Sequence, residues 1–139
     1  AGGYLTSMIG LDKRWLEPYG IDPDTAFVAL IPYSGQVVTH FERRRELGLP
    51  DTQPLVDDMA PLSYVRPDCR PMLILSGDRE REMLGRYEEN AYFWRMMRVA
   101  GHPDVRICEF DGFDHGNMPQ AGHFAAVRYI REMERKMER

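Results

Sequence analysis

Two rhythms of apolar residues alternate along this chain. Where they step by three and four, the spacing predicts helices. Leu5, Met8, Ile9, Leu11 and Leu16 mark one over 4–16, closed by Pro18 and Gly20. A strong helical run covers 86–100 and stops at Gly101-His102-Pro103. A last one covers 120–137, where Phe124, Val127, Ile130 and Met133 step by three. Where apolar residues run unbroken, the pattern fits strands buried on both faces, as in a parallel sheet. Two such runs occur, at 26–31 and 72–75. Residues 105–110 alternate instead and read as an edge-like strand.

Helix, strand, helices, strand, helix, strand, helix is the order of repeated parallel α/β winding. The expected fold class is α/β, with about three parallel strands flanked by helices. Residues 36–68 are the least regular, with helices expected over 37–47 and 55–64 around Gly48-Leu49-Pro50-Asp51. They read as a helical cap-like insertion over a site, since the chain leaves one strand end and must return to the opposite end before Pro71. No repeat or linker divides 1–139, which reads as one partial domain. The run at 26–31 is apolar enough to want neighbours on both edges. Its open edge is an expected site of self-association, so a homo-oligomer is one expectation.

Composition narrows the functions. A hydrophobic content of 43% suits a folded globular chain. A net charge of −4, with acids and bases interspersed, argues against a nucleic-acid surface. Arg43-Arg44-Arg45 lies between Glu42 and Glu46 and reads as a solvated helix face. No apolar run is long enough to span a bilayer. Cys69 and Cys108 lack metal-ligand spacing and read as free thiols, and the four histidines form no zinc-binding pattern. His102 reads as a turn residue, and His40 and His123 as helix-surface or lid groups. The compartment is left open, with the cytoplasm favoured.

The chemistry gathers where functional groups of open α/β sheets gather, at the carboxyl ends of strands. Ser76-Gly77-Asp78-Arg79-Glu80 follows one strand and Gly112-Phe113-Asp114-His115-Gly116 the next. Neighbouring strands lie about 4.8 Å apart, so an acid and an imidazole just past their ends can meet. An acid after one strand and a histidine after the next is the closing part of a Ser…acid…His relay. Its serine is expected immediately upstream of Ala1. Ser34 and Ser76 are poor substitutes, because neither sits at a strand-to-helix elbow.

Ala1-Gly2-Gly3-Tyr4 followed by a helix resembles what comes after the serine in the Gly-x-Ser-Ala-Gly-Gly elbow of α/β-hydrolase fold esterases. Gly77-Asp78-Arg79-Glu80 resembles the Gly-x-x-acid turn of that superfamily. Glu88-Glu89-Asn90-Ala91-Tyr92 and Gly112 to Met118 resemble its esterase/lipase branch, which includes feruloyl-esterase-like and kynurenine-formamidase-like enzymes. The resemblance implies the C-terminal half of an α/β-hydrolase fold, beginning just after the nucleophile. It implies His115 as general base and Glu80 as the acid, a glutamate where aspartate is commoner, with Asp78 as the competing choice. It implies the Ala1 N–H as one oxyanion donor.

The expected activity is a serine hydrolase that cleaves small-molecule carboxylic esters without metal or organic cofactor. Tyr33, Val37, Val38, His40 and Phe41 are the candidate substrate lining. Two alternatives stay open: hydrolysis of N-formyl or acyl amides, and a non-catalytic half-domain that needs its missing N-terminal half as partner.

Overall fold

The computed structural model describes residues 1–138. Helix α1 spans Gly2–Leu11, and the expectation of a helix to residue 16 fails at Asp12. Asp12 is extended, and its carboxylate accepts the Arg14 N–H to start a separate 3₁₀ turn, Lys13–Trp15. Such local side-chain bonds compete with helix continuation. A short α2 comes next at Pro23–Ala26, capped by Asp22.

The apolar run at 26–31 departs from its pattern. Ala26 closes α2, and the chain beyond it makes two isolated parallel bridges, Leu30 with Met72 and Tyr33 with Leu75. Leu30 N–H donates to Pro71 O, Leu30 O accepts from Leu73 N–H, and Pro32 O accepts from Leu75 N–H. The rung between needs an N–H at residue 32, and proline has none. A proline therefore breaks the expected third strand into bridges.

Two strands form the sheet among the described residues. Strand β1, Met72–Gly77, pairs in parallel with β2, Val105–Phe110, from Met72 opposite Val105 to Gly77 opposite Phe110. The side chains of β1 alternate between two cores. Met72 and Ile74 pack with Leu11 of α1, with Leu30 and Val37, and with Phe93 and Met97 of α4, Arg86–Val99. Leu73 and Leu75 pack the other way, with Met118, Tyr129 and Met133 of α5, Met118–Met137. Helices thus cover both faces of β1, which is why all six of its residues are buried. Strand β2 is half-buried throughout.

On α5 the step-of-three stripe splits. Met133 is buried, whereas Phe124, Val127 and Ile130 are exposed, Phe124 by 82%. The inward positions are Gly122, Ala126 and Tyr129. No helix among the described residues is long and apolar enough to cross a membrane.

The insertion is mostly irregular. In place of two helices it carries α3, Phe41–Glu46, and a 3₁₀ turn, Pro61–Tyr64. The His40 side chain caps α3, and Gly48, at φ +77°, lies just past its end. The basic cluster is not wholly solvated. Arg44 is buried and donates to the carbonyls of Thr39, Asp51 and Gln53, tying α3 to the loop beyond it.

Candidate active site

Two turns meet beyond the carboxyl ends of β1 and β2. In the first, the Asp78 carboxylate accepts the Glu80 N–H, and Asp78 O accepts the N–H groups of Arg81 and Glu82. An aspartate bonded to the backbone two residues ahead is a turn initiator. This turn swings the chain back so that Glu82 Oε2 reaches the Gly77 N–H at 3.1 Å. In the second, Gly112 turns at φ +83°, and Asp114 and Asn117 exchange side-chain-to-backbone bonds ahead of α5. The two are stitched together: Asp78 N–H donates to Phe113 O, and Gly112 N–H donates to Asp78 Oδ2. Gly77 lies so close that a Cβ there would stand 2.6 Å from Phe113 O and 2.9 Å from Glu82 Oε2.

This stitching brings His115 Nδ1 to 2.5 Å from Glu82 Oε1. Neither candidate acid named by the spacing makes that contact. Glu80 is exposed, and Asp78 spends its carboxylate on the two turns. Glu82, two positions beyond Glu80, was not among the candidates; the Asp78 turn is what returns it over the strand end.

Glu82 is almost fully buried, and its partners come from its own turn and from two distant segments. Ser34 Oγ donates to Oε2 at 2.7 Å, beside the Gly77 N–H, and the Met83 N–H reaches Oε1. Burial works to raise the Glu82 pKa. Hydrogen bonds from Ser34, the Met83 N–H, His115 and the Gly77 N–H outweigh it, and the net direction is down. The carboxylate therefore stays ionised in a site with little solvent. Asp78 is also held low, by the N–H groups of Gly112 and Glu80.

A cavity of about 410 Å³ opens beside this pair. Ala1, Gly3, Tyr33, Ser34 and His115 all line it, so the start of α1 and the imidazole face one space. Of the candidate substrate lining, Tyr33 belongs to this cavity, with its hydroxyl 3.0 Å from His123 Nδ1. Val38 and Phe41 line a second cavity of about 590 Å³, with Met83 and Leu84 just past Glu82. Val37 is buried in the core and lines neither. His40 stacks on Phe41 with ring centroids 4.5 Å apart, and burial lowers its pKa. Ser34 Oγ is committed to Glu82, and Ser76 is buried in β1 with its hydroxyl on Gly77 O.

Both thiols are free; burial pushes that of Cys69 up to about 11. Among the described residues no group of three or more His, Cys, Asp or Glu is placed to hold a metal ion.

No protein-family model matches the chain, and no curated protein matches it in sequence. Solved structures do. The fold is shared with an esterase. The propionate-bound form of a thermophilic esterase from the Planctomycetes species Thermogutta terrifontis matches 95% of this chain and 53% of its own, with 20% identity and a TM-score of 0.67. Its butyrate-bound form matches 95% and 53%, at 19% identity and 0.67. Thermogutta terrifontis esterase 2 phosphoramylated by tabun matches 94% and 51%, at 18% and 0.65. The chain therefore spans about half the length of the solved structures it matches, and at these identities the likeness is one of fold.

Proposed function

We propose that this chain contributes the acid–base part of a serine carboxylic-ester hydrolase, in a domain completed by further polypeptide. The observation that carries the reading is the His115–Glu82 pair at a cavity that Ala1 also lines. The nucleophile is a serine bonded to the Ala1 nitrogen. Its Oγ attacks the acyl carbon, and the proton passes to His115 Nε2, the ring nitrogen that Glu82 leaves free. Glu82 fixes the tautomer and stabilises the imidazolium. The Ala1 N–H donates to the oxyanion as the tetrahedral centre forms. The bond to the alcohol breaks, His115 returns the proton to the departing oxygen, and water repeats the sequence to free the acid.

Tyr33 lines the reacting space, and Val38 and Phe41 line the neighbouring cavity for the rest of the substrate. The likeness to an esterase seen with propionate and with butyrate bound favours short acyl groups. The exposed Phe124, Val127 and Ile130 and the free edge of the 28–33 segment favour further protein of the same domain as the partner.

The test uses the full-length protein with p-nitrophenyl butyrate, with an N-formyl amide for comparison. Ester turnover is expected, lost in His115→Ala, with a fluorophosphonate probe labelling the serine bonded to Ala1. Faster turnover of the amide moves the assignment to an amidase. Absence of turnover and labelling, or labelling of Ser34 or Ser76, overturns the proposal.

A further inference from the structure

Ser34 has the least ordinary backbone in the chain. Among the described residues it is the one non-glycine at positive φ, at +44°. Glycine takes this region freely, whereas a side chain there is strained and persists only where its surroundings enforce it. They do so here. Ser34 N–H donates to Leu75 O at 2.8 Å, and the buried Arg86 guanidinium donates to Ser34 O. The next carbonyl along, Gly35 O, accepts from the buried Asn90 amide at 2.9 Å. Two buried polar residues of α4 are thus aimed at this turn.

The outcome of that strain is the direction of one hydroxyl. Ser34, 2% exposed, sends Oγ to Glu82 Oε2, while the other oxygen of that carboxylate meets His115. Serine, glutamate and histidine form one continuous file of side chains, and the two ends of the file line the same cavity. Besides Ser34, Oε2 takes the Gly77 N–H, while Oε1 takes the Met83 N–H and faces His115 Nδ1. The Ser34 hydroxyl is the second donor on Oε2 and arrives from another segment, so it fixes how the carboxylate turns between its two sets of partners.

Resting on the hydrolase reading above, we propose that Ser34 is a positioning residue whose buried hydroxyl locks the Glu82 carboxylate in the plane that meets the His115 ring. The role differs from that of the nucleophile, because the hydroxyl points into the protein at the acid and not along the imidazole.

The test compares Ser34→Ala and Ser34→Gly in the full-length protein. Glycine relieves the +44° backbone that Ser34→Ala leaves strained, so Ser34→Gly is the variant expected to keep the fold, with a denaturant titration of each variant reading the folded fraction. Both variants are expected to lose about 10- to 100-fold in kcat, the worth of a hydrogen bond to a charged group, with KM little changed. Both are also expected to lose or shift the low-field proton resonance of the His115 Nδ1–H bonded to Glu82. That resonance reads the pair without any substrate. It still decides the role of Ser34 if the parent hydrolyses no ester and the hydrolase reading fails. An unshifted resonance in Ser34→Gly overturns the proposal whatever the rate does.

Discussion

Gly3, in the first turn of α1, and Gly35, in the turn beyond Pro32, lie backbone against backbone. A Cβ on Gly3 would stand 2.7 Å from the Gly35 Cα and 2.6 Å from Tyr33 O; one on Gly35 would stand 2.8 Å from the Gly3 Cα. This contact sets where Ala1 sits relative to His115, because α1 can come no closer or farther without opening it. Gly3→Ala forces backbone apart and is expected to destabilise by about 1–3 kcal/mol, the usual cost of overpacking. Urea titration of the full-length protein checks the stability. Ester turnover should fall further than the loss of folded protein accounts for.

The same helix is pinned at its other end. The Arg66 guanidinium donates to Gly10 O and Leu11 O, two of the last carbonyls of α1, and pairs with Asp24 at 2.7 Å. A cation there satisfies orphan carbonyls and suits the helix dipole. Arg66→Met is expected to lose about 1.5–3 kcal/mol, the range for hydrogen bonds to charged groups. Combined with Asp24→Asn the losses should fall short of their sum, since both remove one ion pair. Additive losses in denaturant titrations would show that the pair is not coupled.

Three acids within five positions give a sharp mutational contrast. Glu82→Gln removes the charge facing His115 and is expected to lower kcat by about 10²- to 10⁴-fold with little change in KM. Glu80→Gln touches no partner of His115 and should leave turnover at the parent level. Steady-state kinetics on both variants reads the outcome, and the reverse pattern would return the acid role to Glu80.

Acid should loosen the site by a defined route. Asp78, held below its ordinary 3.8 by the N–H groups of Gly112 and Glu80, and Glu82, held below 4.5 by donors that outweigh its burial, are both lowered in the folded chain. Unfolding therefore takes up protons in this range, and the stabilisation is full above about pH 5 and drains as pH falls through the folded-state values. Asp78→Asn should flatten the acid limb of the stability curve and weaken the stitch to Gly112. Thermal melts from pH 6 to pH 3 measure the slope; an unchanged slope in the variant would remove Asp78 from the account.

The two paired strands, the two long helices and the place of His115 just past β2 were legible because their signals are local. Four apolar residues in a row specify Met72 to Leu75, and Gly101 with Pro103 marks where α4 must stop. What failed was decided elsewhere. Ala26 is spent on α2, and Pro32 cancels the rung that would join the bridges at Leu30 and Tyr33 into the strand that the apolar run at 26–31 promises. The side chains of His40 and Asp12 cut or start helices by bonding nearby N–H groups. On α5 the small residues Gly122 and Ala126 face inward, which no count of large apolar residues reveals. The carboxylate that meets His115 was not legible for a related reason. Asp78 reads as a catalytic candidate in one dimension and as a turn initiator in three, and only the turn shows that Glu82 returns to Gly77. Ser34 gives its sign in φ, which the sequence does not print.

Pro32 has one more effect. It leaves one rung out without freeing the chain: Pro32 O still accepts from Leu75 N–H and Ser34 N–H still donates to Leu75 O, so the left-handed residue stays tied to β1. A residue with a free amide there would add the missing rung and leave the pairing at Leu30 and Tyr33 as it is. Tightening this edge for thermal robustness would thus act on one gap and leave the Ser34 turn in place.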